Sequence, residues 1–165
     1  MDRTHSPAVL ILGVGVLDRG DDAAGRLAAQ HIVASHPAAR FSTKELRGEA
    51  TELMDAWADA DTVILIDAMR MGLPPGSVRR FDASTQPLPA EMARSSTHDI
   101  GVSEAIELAR AMRMLPRRAI VYGVEIARLT HGDEPCDQVK IGIWEAADAA
   151  INEANQLIEG KASHA

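Results

Sequence analysis

The stretch of residues 63–76, VILIDAMRMGLPPG, constrains the fold of this chain more than any other feature. Its first four residues are apolar and mostly β-branched, and they lead directly into an acid, Asp67. A continuous apolar run that ends near turn residues is typical of a strand buried on both faces of a sheet. A charge at the end of such a strand is costly unless another group pairs with it. Ligands bind at that same end of the strands in open α/β sheets, so Asp67 is predicted to belong to a functional site.

Strand and helix patterns alternate along the whole chain, which predicts an α/β fold with three layers and a mostly parallel sheet of about five strands. A single domain over residues 1–165 is expected, with 1–7 and 160–165 flexible. Residues 82–96 are predicted to form a mobile loop. The predicted strands are 8–12, 41–46, 62–67, 77–81 (an edge strand) and 119–126, and the predicted helices are 21–35, 49–58, 103–114 and 135–158.

Composition excludes several classes of function. Apolar residues make up 46% of the chain and charged residues 25%, which is ordinary for a soluble globular protein. The net charge of −7 argues against a nucleic-acid partner, because phosphate binding requires a basic face. A single cysteine excludes an internal disulfide and a thiolate zinc cluster. The polar first seven residues and the lack of a long apolar run predict a cytoplasmic protein without a membrane segment.

Acids and one histidine occur where predicted strands end or helices begin. These residues are Asp21, Asp22, Asp67 and His98. If the strands concerned are parallel, all four residues lie at the same rim of the sheet, at the carboxyl ends of the strands. Two carboxylates and one imidazole would give an oxygen, oxygen and nitrogen ligand set with open positions. Such a set suits a divalent metal such as nickel or zinc and does not fit a closed structural site.

Each of these residues also has a simpler interpretation. Asp21 is assigned to helix capping, so its exchange for Asn is expected to be mild. Asp22 could equally be a first-turn acid favoured by the helix dipole, and His98 could be an ordinary loop residue. The Gly-x-Gly pair at 13–15 suggests nucleotide binding only weakly, because the third glycine of that fingerprint is replaced by Asp18.

Four segments together resemble a known family. GVGVLDRGDDAAG at 13–25, ILIDAMRMGLPPGSV at 64–78, STHDIGVSEAIELA at 96–109 and PRRAIVYGVEI at 116–126 are similar to signature segments of the hydrogenase maturation proteases, in the same order. The resemblance implies a three-layer α/β/α sandwich with a twisted sheet. It also implies an endopeptidase that removes the C-terminal extension from the nickel-containing large subunit of a [NiFe] hydrogenase.

Asp22, Asp67 and His98 match the metal-binding triad of that family, and the resemblance assigns them both metal recognition and catalysis. Two neighbouring positions depart from the family pattern. Val16 stands where the family usually has Asn, and Ala23 stands where it usually has Gly.

The implied mechanism depends on nickel that the precursor supplies and that the free protein holds only weakly. The bound metal could polarise the scissile carbonyl or an attacking water, or one carboxylate could act as the general base. The expected partner is the large-subunit precursor, and the protein itself is expected to be a monomer that binds neither nucleic acid nor membrane. Two alternatives remain: a non-catalytic nickel-dependent checkpoint or chaperone for the same precursor, and a small nucleotide-binding module.

Overall fold

The computed structural model describes residues 9–89, 101–130 and 132–162. Within these ranges the chain forms five strands, four α-helices and one 3₁₀ turn, Gly20–Ala23. The strands are β1 (Val9–Val14), β2 (Ser42–Leu46), β3 (Thr62–Met69), β4 (Val78–Asp82) and β5 (Arg118–Glu125). The helices are α1 (Ala24–Ser35), α2 (Ala50–Trp57), α3 (Val102–Ala111) and α4 (Asp137–Ala162). None of the described helices combines the length and apolarity needed to cross a membrane.

All five strands belong to one sheet, in the order β2-β1-β3-β5-β4. The pairings among β2, β1, β3 and β5 are parallel, and β4 runs antiparallel to β5 at the edge. The mostly parallel sheet and the edge position of the fourth strand are therefore both as predicted. Two exposed arginines on β4, Arg79 and Arg80, are compatible with its edge position.

β3 lies at the centre of the sheet and separates two apolar cores. Ile64 and Ile66 pack on one side with residues of α1 and α4. Val63 and Leu65 pack on the other side with residues of α2 and α3. Burial of alternate residues on both faces explains why the apolar run in this strand is continuous. The predicted three-layer α/β/α arrangement is confirmed.

The carboxyl ends of the neighbouring strands β1 and β3 define a crevice in the topological sense, because the chain leaves these two strands in opposite directions. β1 is followed by α1, on one face of the sheet, and then by β2 on its outer side. β3 is followed by β4 and β5 on its other side, and α3, the helix before β5, lies on the opposite face of the sheet from α1. The carboxyl ends of β1 and β3 thus form the topological switch point, where open α/β sheets bind their ligands.

The structure differs from the predicted elements at several ends. α1 begins at Ala24 after the 3₁₀ turn, and not at residue 21. β3 continues to Met69 because β5 pairs with it over that length. α4 continues to Ala162, which places residues 160–162 of the predicted flexible tail in a helix. His98, residues 1–7 and 163–165, and residues 90–96 of the predicted mobile loop lie outside the described residues.

Candidate active site

Asp67 lies in β3 beside the crevice. The pairing of β3 with β1 ends at Ile66, opposite Gly13, so Asp67 is the first residue of β3 without a partner on β1. On its other side Asp67 pairs with Gly123 of β5. Because side chains alternate along a strand, Asp67 shares a face with Leu65. Local sheet geometry therefore places this half-buried acid at the rim that the sequence predicted.

Asp22 reaches the same crevice from the 3₁₀ turn that follows β1. Two glycines allow this turn to lie directly on the sheet. Gly15 has a φ of +150°, and a Cβ on it would stand 2.0 Å from the Asp22 carbonyl oxygen. A Cβ on Gly25 would stand 2.1 Å from the carbonyl oxygen of Ile66 and 2.3 Å from that of Val14. The turn that carries Asp22 can therefore pack against β1 and β3 only without side chains at these two positions.

The two carboxylates interact electrostatically. Burial raises the pKa of Asp67 well above its ordinary value, and the negative charge of Asp22 raises it further. A hydrogen bond from the backbone of Ala68 acts in the opposite direction. Burial also raises the pKa of Asp22, against the lowering effects of the Arg19 charge and of a backbone hydrogen bond from Val16. Such a pair of acids is stabilised by a proton or a metal cation placed between them.

Val16 and Ala23, the two residues that depart from the family pattern, are both accommodated in the loop that carries Asp22. Val16 contacts Asp22 through its backbone, so this contact does not depend on the side chain at position 16. Ala23 is 1% exposed, and its methyl group is therefore part of the core.

The described residues supply two members of the predicted triad, Asp22 and Asp67. Among them, no group of three or more His, Cys, Asp or Glu side chains is placed to hold a metal ion. His98 lies outside the described ranges, so its place in the triad stays a prediction.

The assignment of Asp21 to helix capping is wrong. Asp21 is fully buried, and its carboxylate accepts hydrogen bonds from three backbone N–H groups of the β5–α4 connection. Oδ2 accepts from Ala127 at 2.7 Å and from Arg128 at 2.8 Å, and Oδ1 accepts from Cys136 at 2.9 Å. These hydrogen bonds therefore hold the β5–α4 connection against the turn that carries Asp22.

Glu125 is a second buried acid at this rim, and it is not among the residues that the sequence predicts for the site. It ends β5 and is 5% exposed. Its Oε2 accepts hydrogen bonds from the backbone N–H groups of Met71 at 2.7 Å and Leu73 at 3.2 Å. The only sequence signal is an acid that directly follows an apolar run, the same signal that singled out Asp67.

A family model described as hydrogenase maturation protease matches residues 48–161 of the chain. Hydrogenase expression/formation protein HupD of Thiocapsa roseopersicina is 28% identical over 148 residues. Those residues make up 88% of this chain, which itself spans only 66% of the length of HupD.

Solved structures share the fold. The [NiFe] hydrogenase maturation protease HybD from Thermococcus kodakarensis is similar with a TM-score of 0.65 at 23% identity, over 88% of this chain and 98% of that one. The endopeptidase HycI from Escherichia coli is similar with a TM-score of 0.69 at 19% identity, over 88% and 90% of the two chains. At these identities the likeness concerns the fold alone.

Proposed function

Because the chain belongs to the hydrogenase maturation protease family, we propose that it removes the C-terminal extension from the nickel-loaded large-subunit precursor of a [NiFe] hydrogenase. Membership confirms the resemblance of its sequence to this family and supports the prediction of a peptidase. The substrate, the cleavage step and the role of nickel belong to the proposal. The observation that carries it is the pair of acids, Asp22 and Asp67, at the switch point of the sheet.

The pair of acids supports metal recognition for an electrostatic reason. Each carboxylate is partly removed from water, and the charge of Asp22 disfavours the ionised form of Asp67. A nickel ion carried by the precursor would relieve both costs, because a divalent cation between the acids replaces repulsion with attraction. His98 would add the nitrogen donor to this site. The free protein would then hold nickel only weakly and would bind it firmly only as part of the precursor.

Two roles for the acids in peptide cleavage remain compatible with this site. In the first, Asp22, Asp67 and His98 hold the nickel of the precursor while the metal polarises the scissile carbonyl or an attacking water. In the second, the metal serves only for docking, and one carboxylate removes the proton from the water. The raised pKa of Asp67 favours it for the second role, because a general base works best when its pKa lies closer to the working pH.

The experiment incubates the purified protein with its large-subunit precursor in nickel-loaded and nickel-free form, and follows the mass of the precursor. We expect loss of the C-terminal extension from the loaded form only. Equal cleavage of the nickel-free form would contradict metal recognition. Binding of the loaded form without any loss of mass would identify the protein as a non-catalytic checkpoint, and saturable binding of a fluorescent nucleotide would favour a nucleotide-binding module.

A further inference from the structure

We propose that Glu125 is a positioning residue, which holds the β3–β4 connection, residues 70–77, in the conformation that contacts the precursor beside Asp67. The inference rests on the proposed function, since it assigns part of the docking surface for the same precursor. It concerns a buried acid that the proposed cleavage step does not use.

Glu125 binds the β3–β4 connection at both of its ends. Its carboxylate accepts from the N–H groups of Met71 and Leu73, near the start of the connection. Its backbone carbonyl accepts from Gly76 at 2.9 Å, and its backbone N–H donates to the carbonyl of Ser77 at 2.8 Å. The bonds at the end of the connection are made by the backbone of Glu125 and do not depend on its side chain. The bonds near the start of the connection are made by its carboxylate and would be lost with it.

Met71 connects this arrangement to the candidate active site. Its sulfur lies 3.2 Å from the place where a Cβ on Gly123 would stand. Gly123 is the partner of Asp67 in the parallel pairing of β3 and β5, so Met71 lies over the strand pair next to Asp67. Met71 is also half-buried, and it therefore presents part of its surface at the rim. The bond from the Met71 N–H to Glu125 fixes the backbone that carries this side chain.

The middle of the connection is exposed. A Cβ added at Gly72 would meet no described atom within 4 Å, and Pro74 and Pro75 are exposed. Prolines restrict their own φ angles, so most of the remaining freedom lies in residues 70–73. Those are the residues that the Glu125 carboxylate restrains. An ordered, exposed segment beside Asp67 is suited to contact an extended peptide that enters the crevice.

The test compares Glu125→Ala, Glu125→Gln and Met71→Ala with the wild type. The affinity for nickel-loaded precursor is measured by titration calorimetry, and kcat is measured at saturating precursor. We expect Glu125→Ala to weaken binding about tenfold, which corresponds to about 1.4 kcal/mol, with kcat within about threefold of wild type. Glu125→Gln should restore most of the affinity, because its amide oxygen can accept both N–H groups. Met71→Ala should weaken binding without removing the Glu125 bonds, and it keeps the proposal testable if Glu125→Ala fails to fold.

Glu153→Ala is the matched control. It removes a carboxylate of α4 that accepts hydrogen bonds from Arg80 at 2.6 Å and from Tyr122 at 2.5 Å. These contacts lie on the face of the sheet that α4 covers. It should lower the unfolding temperature and leave the affinity unchanged. Wild-type affinity in both Glu125→Ala and Met71→Ala, or an equal loss in Glu153→Ala, would overturn the assignment. Binding without cleavage by the wild type would overturn only the proposed function, and absence of binding would overturn both.

Discussion

Asp22 and Asp67 approach each other at the crevice between β1 and β3, and the charge of Asp22 raises the pKa of Asp67 beyond the effect of burial. The pair comes together because Gly15 and Gly25 let the 3₁₀ turn pack directly on the strands. Two acids in this position disfavour each other's ionised form when no cation is bound. The site is therefore expected to lower the stability of the free protein at neutral pH.

Exchange of Asp67 for Asn should stabilise the free protein at neutral pH. The folded pKa of Asp67 is raised above its unfolded value, so its contribution to stability is full below the unfolded pKa and is lost as pH rises through the folded pKa. Asp67→Asn should therefore unfold at a higher urea concentration than wild type at pH 7, and the difference should disappear on acidification. Asp148→Asn, an exposed acid of α4, is the control and should change little. A less stable Asp67→Asn variant at pH 7 would contradict this interpretation.

The same variant should be inactive in cleavage. Asp67→Asn, Asp22→Asn and His98→Ala each remove one predicted contact to the nickel of the precursor, and each should abolish the loss of the C-terminal extension. Since Asp67→Asn is expected to be more stable than wild type, its inactivity could not be attributed to unfolding. The measurement is the mass of the loaded precursor after incubation. Wild-type cleavage by His98→Ala would remove His98 from the triad.

Nickel should be lost readily from the free protein. The proposed site offers only three protein ligands, two of them carboxylates, and carboxylates bind nickel less firmly than imidazole or thiolate groups do. Dialysis against a mild chelator followed by metal analysis should leave well below one nickel per chain. Tight stoichiometric nickel after this treatment would instead indicate a resident catalytic ion.

The sequence predicted those features that depend on local patterns. The apolar run of β3 is continuous because the strand is buried on both faces, and this run alone predicted a buried strand that leads into an acid of the candidate site. The roles of Asp21 and Glu125 could not be predicted in this way, because their hydrogen-bond donors are backbone N–H groups far away in the sequence. Asp21 binds residues 106 to 115 positions away, and Glu125 binds residues 52 and 54 positions away. Backbone donors have no residue type, so no motif could reveal these contacts.

Gly25→Ala should destabilise the fold strongly. The added methyl group would stand 2.1 Å from the Ile66 carbonyl oxygen and 2.3 Å from that of Val14, and both belong to central strands that cannot move aside. We expect a loss of about 3 kcal/mol or more in the free energy of unfolding. Gly160→Ala is the control within α4, where the added Cβ meets no described atom within 4 Å. It should be neutral or stabilising by up to about 1 kcal/mol.

Exchange of Asp21 for Asn tests the structural role of Asp21 in the 3₁₀ turn, whereas Asp22 of the same turn is the proposed metal ligand. The substitution preserves shape but replaces one acceptor oxygen with an NH₂ donor. Because Asp21 accepts N–H groups on both oxygens, at least one of these donors loses its acceptor whichever way the amide is oriented. Leaving a buried donor unsatisfied costs about 1–3 kcal/mol, so the urea midpoint should fall measurably.

Asp18→Asn, at an exposed position in the same loop, is the control for this measurement and should leave the midpoint unchanged. Below its unfolding temperature, Asp21→Asn should still cleave the loaded precursor because Asp22 is intact. Asp22→Asn should show the opposite pattern, a folded protein without cleavage. If Asp21→Asn were instead fully stable and inactive while Asp22→Asn cleaved normally, the functional acid of this turn would be Asp21.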